Sequence, residues 1–409
     1  MAQLVMGSCR AYLFARFAIC GELAYNGGAN ETPYAYNYVV NELSKMKSEG
    51  LIRLYKYPDG RSFYRLCEPA GTEKLKELST DLLMHLDLMV GPEGKRYKGS
   101  KDYRVKQRKL YEVCALLEST GVTIDGLKAI KTNKRGKCGF VCETSDEQSD
   151  LSDTVFFKNG ELKSVQQIFE QVNPEEYNFI STKAMRNVSD DAIQLHPRTH
   201  MHRSIGILLH GANMYSVYCL QGSREQWLRS VESQAVYQMQ RLASMHLPAF
   251  EGKKTIGSKK AIFYVPNSNV LTDLVTCRTK TVKIKADTVY NFPYFVPLSE
   301  NAGDVTRMLL VDDWKKKLNA ILSSETSSPD DAEDGWLENG DGMYNFLCCN
   351  AALMKERASR INSRRSVSTI VIHDWQKEAA EILFGKNVKA VVINDEQFRI
   401  LLTAVESLS

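Results

Sequence analysis

From residue 258 to the end, short β-branched and aromatic runs alternate with helical ones, and this alternation constrains the fold more than any other feature. Residues 261–265, 294–298, 368–372 and 388–393 read as strands, while 268–277, 304–322, 374–383 and 395–407 read as helices. A strand that returns through a helix re-enters its sheet in the same direction, so the pattern predicts a mainly parallel sheet covered by helices. Residues 323–341 interrupt it with Ser, Pro, Gly and seven acids from Glu325 to Asp341, without one base, and read as a flexible insertion. Residues 258–409 are thus expected to form a C-terminal α/β domain in a chain of mixed α/β class.

The front of the chain follows another order. Leu4, Val5, Cys9, Leu13, Phe14, Phe17 and Cys20 recur at helical spacing, which predicts a helix over 4–22. A Gly- and Asn-rich loop at 26–30 precedes a second helix, with Thr32 as N-cap, Pro33 in the first turn, and an apolar stripe of Tyr36, Val39, Val40, Leu43 and Met46. Gly50 ends it. Two strands follow, 52–57 and 62–66, joined by the turn signal Pro58-Asp59-Gly60, and then helices near 71–79 and 80–90. Helix, loop, helix, hairpin is the order of a winged helix-turn-helix, expected over 1–90. In such a module the second helix enters the major groove. Its stripe leaves Tyr34, Asn37, Tyr38, Asn41 and Lys45 on the free face. Asn pairs bidentately with adenine, and Tyr bonds phosphate or packs on a thymine methyl. Arg53, Lys56 and Arg61 on the wing are suited to phosphate contacts.

Charge supports a polyanion-binding head. Residues 1–137 hold 23 Lys and Arg against 15 Asp and Glu, a net of +8; residues 138–409 hold 30 against 34, a net of −4. A second basic segment, Lys95, Arg96, Lys98, Lys101, Arg104, Lys106, Arg108 and Lys109, is interleaved with Tyr97, Tyr103 and Tyr111 and contains only Asp102 as an acid. Bases neutralise phosphates and tyrosines stack on nucleobases; a solvated helix face is the alternative. An amphipathic helix ending near Thr120, a strand over 121–130 and a basic hairpin or loop over 128–137 follow. Two strands, 204–209 and 214–220, flank the turn His210-Gly211-Ala212-Asn213, and Ser223, with Gln226 in the capping-box position, is expected to cap a helix reaching Met245. Residues 91–250 form the expected middle domain.

No catalytic signature stands out. The hairpin and helix of the middle domain resemble the core order of restriction-like nucleases, but Arg203-Ser204 and Tyr215 to Cys219 supply no carboxylate for magnesium, so a nuclease-like fold here is expected to be inactive. His196, His200 and His202, with His210 nearby, suit zinc by residue type, but Pro197 breaks any helix and no acid or cysteine completes the set. Cys138 and Cys142 form a pair without a second pair. Asp374 and Asp395 follow strands, where ligands bind, and serve equally well as helix caps. There is no GxGxxG, GxxxxGK[ST], nucleophile elbow or HExxH. No cofactor, metal or enzymatic activity is expected. Cys20, Cys114, Cys219, Cys348 and Cys349 lie in apolar stretches, as in buried thiols of a reducing compartment. With no apolar run of about 18 residues and no signal-peptide pattern, a soluble cytoplasmic protein without a membrane partner is expected.

Tyr38-Val39-Val40-Asn41-Glu42-Leu43, Gly50-Leu51-Ile52-Arg53, Tyr64-Arg65-Leu66 and Gly71-Thr72-Glu73-Lys74-Leu75 resemble the winged helix of replication-relaxation-like proteins of plasmids and conjugative elements. Gly206 to Leu209, Met214 to Tyr218, Trp227 and Glu232 are similar to a hairpin and helix of the same proteins, so the resemblance covers about residues 1–245. It implies binding of double-stranded DNA in the replication, transfer or transcriptional control of a mobile element, with a second copy or another element protein as further partner. The rival expectations are a metal-dependent nuclease or nicking accessory factor, and an adaptor that docks protein without DNA affinity.

Overall fold

A computed structural model describes residues 9–25, 34–57, 60–78, 82–83, 86, 109–114, 116–117, 120–124, 128–132, 137–141, 175–182, 203–211, 213–223, 225, 227–246, 259–276, 284–298, 301–322, 343–348, 351–364 and 367–408. The chain divides into two compact units, 1–194 and 195–409. The class is mixed α/β, including a mostly parallel sheet.

The first unit opens with α1 (Cys9–Cys20), β1 (Leu23–Ala24), α2 (Tyr36–Ser48), β2 (Ile52–Lys56), β3 (Ser62–Leu66) and α3 (Ala70–Leu78). The strands form an antiparallel sheet in the order β1-β3-β2, with Leu23 opposite Tyr64 and Ile52 opposite Leu66. α1 is buried nearly all round, with Leu13, Phe14, Phe17 and Ala18 fully enclosed. α2 begins at Tyr36, later than Thr32 and Pro33 suggest; both lie outside the described residues, and Ala35 at the N-cap position offers no side-chain acceptor. The C-terminus of α2 follows its sequence signal. Gly50 has φ 74°, its N–H reaches the Lys47 carbonyl at 3.1 Å, and the Leu51 N–H reaches Met46 at 2.9 Å. This pair of bonds satisfies the last carbonyls of the helix while buried Leu51 turns in toward the core. Gly71 on α3 permits a second close approach, because a Cβ there would sit 2.2 Å from the Leu51 carbonyl oxygen.

Beyond α3, residues 109–114 are helical and bury Leu110, Tyr111, Val113 and Cys114, as amphipathic spacing predicts. The expected strand over 121–130 is instead two: β4 (Thr123–Ile124), which pairs in parallel with β7 (Asn178–Ser181), and β5 (Lys128–Thr132), which forms a hairpin with β6 (Lys137–Val141). The insertion at 323–341 lies outside the described residues.

In the second unit, β8 (Gly206–His210) and β9 (Asn213–Cys219) form the predicted hairpin. β10 (Lys260–Val265) runs parallel to β9, and β11 (Phe292–Pro297) parallel to β10. The expected domain boundary at 250–258 therefore falls between neighbouring strands of one sheet. A separate parallel sheet in the order β12 (Met343–Asn345), β13 (Ser368–His373), β14 (Val388–Ile393) completes the unit. Its helices are α4 (Arg229–His246), α5 (Ser268–Thr276), α6 (Ala302–Leu310), α7 (Trp314–Leu322), α8 (Ala351–Asn362), α9 (Lys377–Leu383) and α10 (Asp395–Ser407).

Three expectations are corrected here. α4 starts at Arg229, and Ser223 is buried with its hydroxyl 3.5 Å from Asp273 instead of capping it. The single helix expected over 304–322 is two, broken where Asp313 adopts φ 54° and the Asn213 amide holds the neighbouring Asp312 carboxylate at 2.5 Å. α6 ends with neither Gly nor Pro, at Val311, which is extended (φ −63°, ψ 133°). Finally, Asp374 and Asp395 do not cap. His373 and Asn394 occupy those positions, and Asn394 and Gln397 form a reciprocal capping box on α10.

The centre of the larger sheet is aromatic. Tyr218, Phe263 and Phe295 lie side by side on β9, β10 and β11, with ring centroids 4.5 Å apart at 13° and 5.0 Å apart at 25°. Each such pair contributes about 0.5–1.5 kcal/mol beyond its buried area. The Tyr218 hydroxyl donates to Glu232 at 2.9 Å, and the Arg203 N–H donates to the same buried carboxylate at 2.8 Å.

In the first unit, buried Arg65 on β3 pairs with buried Glu22, its Nε donating at 2.6 Å, and the Tyr57 hydroxyl also donates to Glu22 at 2.6 Å. Breaking such a buried pair from one side leaves an unmatched charge and costs about 3–5 kcal/mol, whereas replacing both partners is far milder. Arg65→Met is therefore expected to lower the urea midpoint of the first unit sharply, and Glu22→Gln added to it to recover much of the loss, as followed by circular dichroism of the full chain. Equal losses from the single and double variants would contradict the pairing.

Candidate nucleic-acid interface

The face of α2 turned away from the core is built by spacing. Val39, Leu43 and Met46 are buried, which leaves Asn37, Asn41 and Lys45, four residues apart, as one exposed line along the helix. Tyr38 stands beside them, 53% exposed. Tyr34 lies just before the helix and is half-buried, its ring edge-on to Tyr12 at 5.7 Å and 6.3 Å from Tyr38, so it props the exposed tyrosine. The structure thus brings together all five residues singled out on this element.

Two carboxylates, Glu42 on α2 and Glu49 at its C-cap, are engaged by one arginine. Arg10 of α1 donates from Nη1 and Nη2 to Glu49 at 2.7 and 2.9 Å, and its Nε bonds Glu42. These hydrogen bonds hold the Glu49 carboxyl below the usual carboxylate range. They also raise the pKa of Arg10, the Glu49 bonds most of all, against a smaller opposing effect of burial. Glu42 is shared, since its second oxygen lies 3.9 Å from the Lys45 ammonium, so the outward face presents amide and phenol groups and an ammonium that is partly paired. This clamp between α1 and α2 was not legible in the sequence, because its residues are 32 and 39 positions apart.

On the hairpin, Arg53 and Lys56 are exposed on β2. Three positions apart on a strand, they leave opposite faces. Arg61 is exposed too, but its guanidinium pairs with Glu112 of the helical stretch at 109–114, so this base is partly committed to holding the hairpin down. Lys95, Arg96, Lys98, Lys101, Arg104 and Arg108 lie outside the described residues. Lys109, counted with them in sequence, is buried.

The other candidates resolve as follows. His196, His200 and His202 lie outside the described residues. The ring of His210 meets the Leu310 carbonyl at 2.9 Å. Cys138 lies on β6 opposite Lys131, while Cys142 and Cys349 are outside the described residues. Cys20, Cys114, Cys219 and Cys348 are buried thiols. Among the described residues no group of three His, Cys, Asp or Glu is placed to hold a metal, and no helix is long and apolar enough to cross a membrane.

One pairing escaped the sequence reading. At the C-terminal ends of β12 and β13, Cys348, in the left-handed region at φ 52°, lies with its sulfur 3.7 Å from Nε2 of His373. Trp375 stacks on the imidazole at 4.5 Å and Phe398 meets it edge-on at 4.6 Å. Burial lowers the pKa of His373 to about 3, so the ring is neutral. A buried neutral imidazole beside a buried thiol is a packing unit, not an ion-pair nucleophile.

Compared with known protein families, curated proteins and solved structures, the chain matches none.

The His373 site carries a pH signature. Its folded pKa lies below the unfolded value, so as pH falls through the unfolded pKa the unfolded chain takes up a proton that the folded one refuses, and stability drops. The loss is expected to be about 2 kcal/mol between pH 7.5 and 5, at about 1.4 kcal/mol per unit once the unfolded histidine is protonated. His373→Phe keeps an aromatic ring for the stack and is expected to flatten that slope in denaturation experiments; an unchanged slope would contradict a neutral buried imidazole.

Proposed function

We propose that the chain is a sequence-specific double-stranded DNA-binding protein, with residues 9–78 acting as a winged helix-turn-helix. The exposed line Asn37, Asn41 and Lys45 carries this reading, with Glu42 and Glu49 engaged by Arg10 and Glu42 also 3.9 Å from the Lys45 ammonium. The order β1-β3-β2, with a hairpin directly after α2, supports it as the scaffold such a helix requires. Asn37 and Asn41 read base edges, Tyr38 contacts a phosphate or a thymine methyl, and Lys45 with Arg53 and Lys56 supplies phosphate contacts. On the resemblance of residues 1–245 to replication-relaxation-like proteins, the setting is replication, transfer or transcriptional control of a mobile genetic element.

A second reading has an observation of its own. Tyr36, Tyr38 and Val40 are 52, 53 and 36% exposed, an apolar share suited to protein docking.

Fluorescence polarisation of the full chain on a pool of duplexes, titrated with salt, separates the two. The DNA reading predicts affinity that falls steeply with salt, with a log–log slope of about −0.9 per phosphate contacted. Asn37→Ala with Asn41→Ala is expected to leave folding unchanged and to cost about 1–3 kcal/mol of discrimination per base pair read. Arg53→Ala with Lys56→Ala is expected to weaken all sequences alike and to flatten the slope by roughly 2. Absence of binding at roughly 50 mM salt overturns the reading in favour of an adaptor.

A further inference from the structure

The last strand of the C-terminal sheet is exposed in a way a parallel strand rarely is. Parallel strands are ordinarily covered on both faces. In β14, Lys389, Ala390, Val391 and Val392 are all exposed, the two valines at 38% each, although successive side chains leave opposite faces. β13 pairs with one edge of β14, and no described strand pairs with the other. Its outer N–H and C=O groups are a template for another strand, and Val388 to Ile393 carries no Pro, no Gly and one charge against such pairing. Edges left this bare are where chains add strands to one another.

The charges around β14 favour a partner with the same sequence. Exposed Lys386 and Lys389 mark its N-terminal end; exposed Glu396, with Asp395 beside it, marks the C-terminal end. Parallel addition of a copy would set base against base and acid against acid. Antiparallel addition about a two-fold axis through Val391 sets the basic end of each copy against the acidic end of the other. It places Lys389 opposite Ile393 and Ala390 opposite Val392, with no like charges facing. Like charges directly opposite destabilise a sheet, so the two orientations are not equivalent.

We propose that the outer edge of β14 is a self-association surface. Two copies of the chain pair antiparallel through Val388 to Ile393 and join their three-stranded sheets into one of six strands. The isologous contact needs no other protein. It rests on the second unit alone and stands whether or not the first unit binds DNA.

The test is sedimentation equilibrium of the full chain, unmodified and as Lys386→Glu, Glu396→Lys, the double variant and Val391→Asp. The expected result is a dimer. Each charge reversal raises its dissociation constant by roughly tenfold, and the double variant restores it to within about threefold, because the complementary pair is rebuilt with its signs exchanged. Val391→Asp abolishes it. All three positions are exposed, so circular dichroism and melting temperature should be unchanged; if Val391→Asp disturbs folding, the charge exchange still decides. A monomer at every concentration overturns the proposal. So does a dimer indifferent to all four variants, which would place the contact elsewhere, and so does failure of the double variant to recover.

Discussion

The buried pairing of Glu22 with Arg65 and Tyr57 fixes the frame from which the first unit presents everything else. Two opposite charges have been withdrawn from water, and neither is stable there without the other. Glu22 lies just after Gly21 at the end of α1, Tyr57 immediately follows the first arm of the hairpin, and Arg65 lies on the second arm. One carboxylate thereby ties the first helix to both arms. Burial, and then the charge of Glu22, raise the pKa of Tyr57, so its hydroxyl remains a proton donor to that carboxylate across the physiological range. Arg10 repeats the device on the other side by joining α1 to α2 through Glu42 and Glu49. Asn37 and Asn41 on the outer face of α2 are exposed, while Lys45 beside them lies 3.9 Å from Glu42.

The second unit is organised around aromatic packing. Tyr218, Phe263 and Phe295 lock three parallel strands in register, and Glu232 satisfies the Tyr218 hydroxyl and the Arg203 amide at the sheet surface. Its smaller sheet closes over His373, which burial keeps neutral, and then ends on a strand whose four central residues are exposed. A sheet so well finished on one side and bare on the other is the physical basis for reading β14 as a surface of association.

Local signals in the sequence were reliable where the local chain decides the outcome. The turn around Gly60, the end of α2 at Gly50, the hairpin of β8 and β9 and the alternation after 258 each depend on residues within a few positions of one another. The exposed line on α2 was legible for the same reason, since helical spacing sorts Asn37, Asn41 and Lys45 from Val39, Leu43 and Met46, but the same spacing put Tyr36 and Val40 in the buried stripe and both are exposed. What escaped depends on distant partners. Asp312, in the break between α6 and α7, is bonded by Asn213, 99 residues away. Arg61 spends its charge on Glu112, 51 residues on. The division of the C-terminal strands between two sheets follows from pairings that spacing cannot rank. Short β12 and helix α8, after an acidic stretch without periodicity, left no pattern to find.

The most direct test of the central claim is an amide-exchange footprint of the full chain with and without a bound duplex. If the clamped frame presents α2 and the hairpin to DNA, protection on binding concentrates in residues 36–48 and 52–62, while β8 to β11 exchange as before. Protection confined to the second unit, with α2 unaffected by a duplex that demonstrably binds, would contradict it.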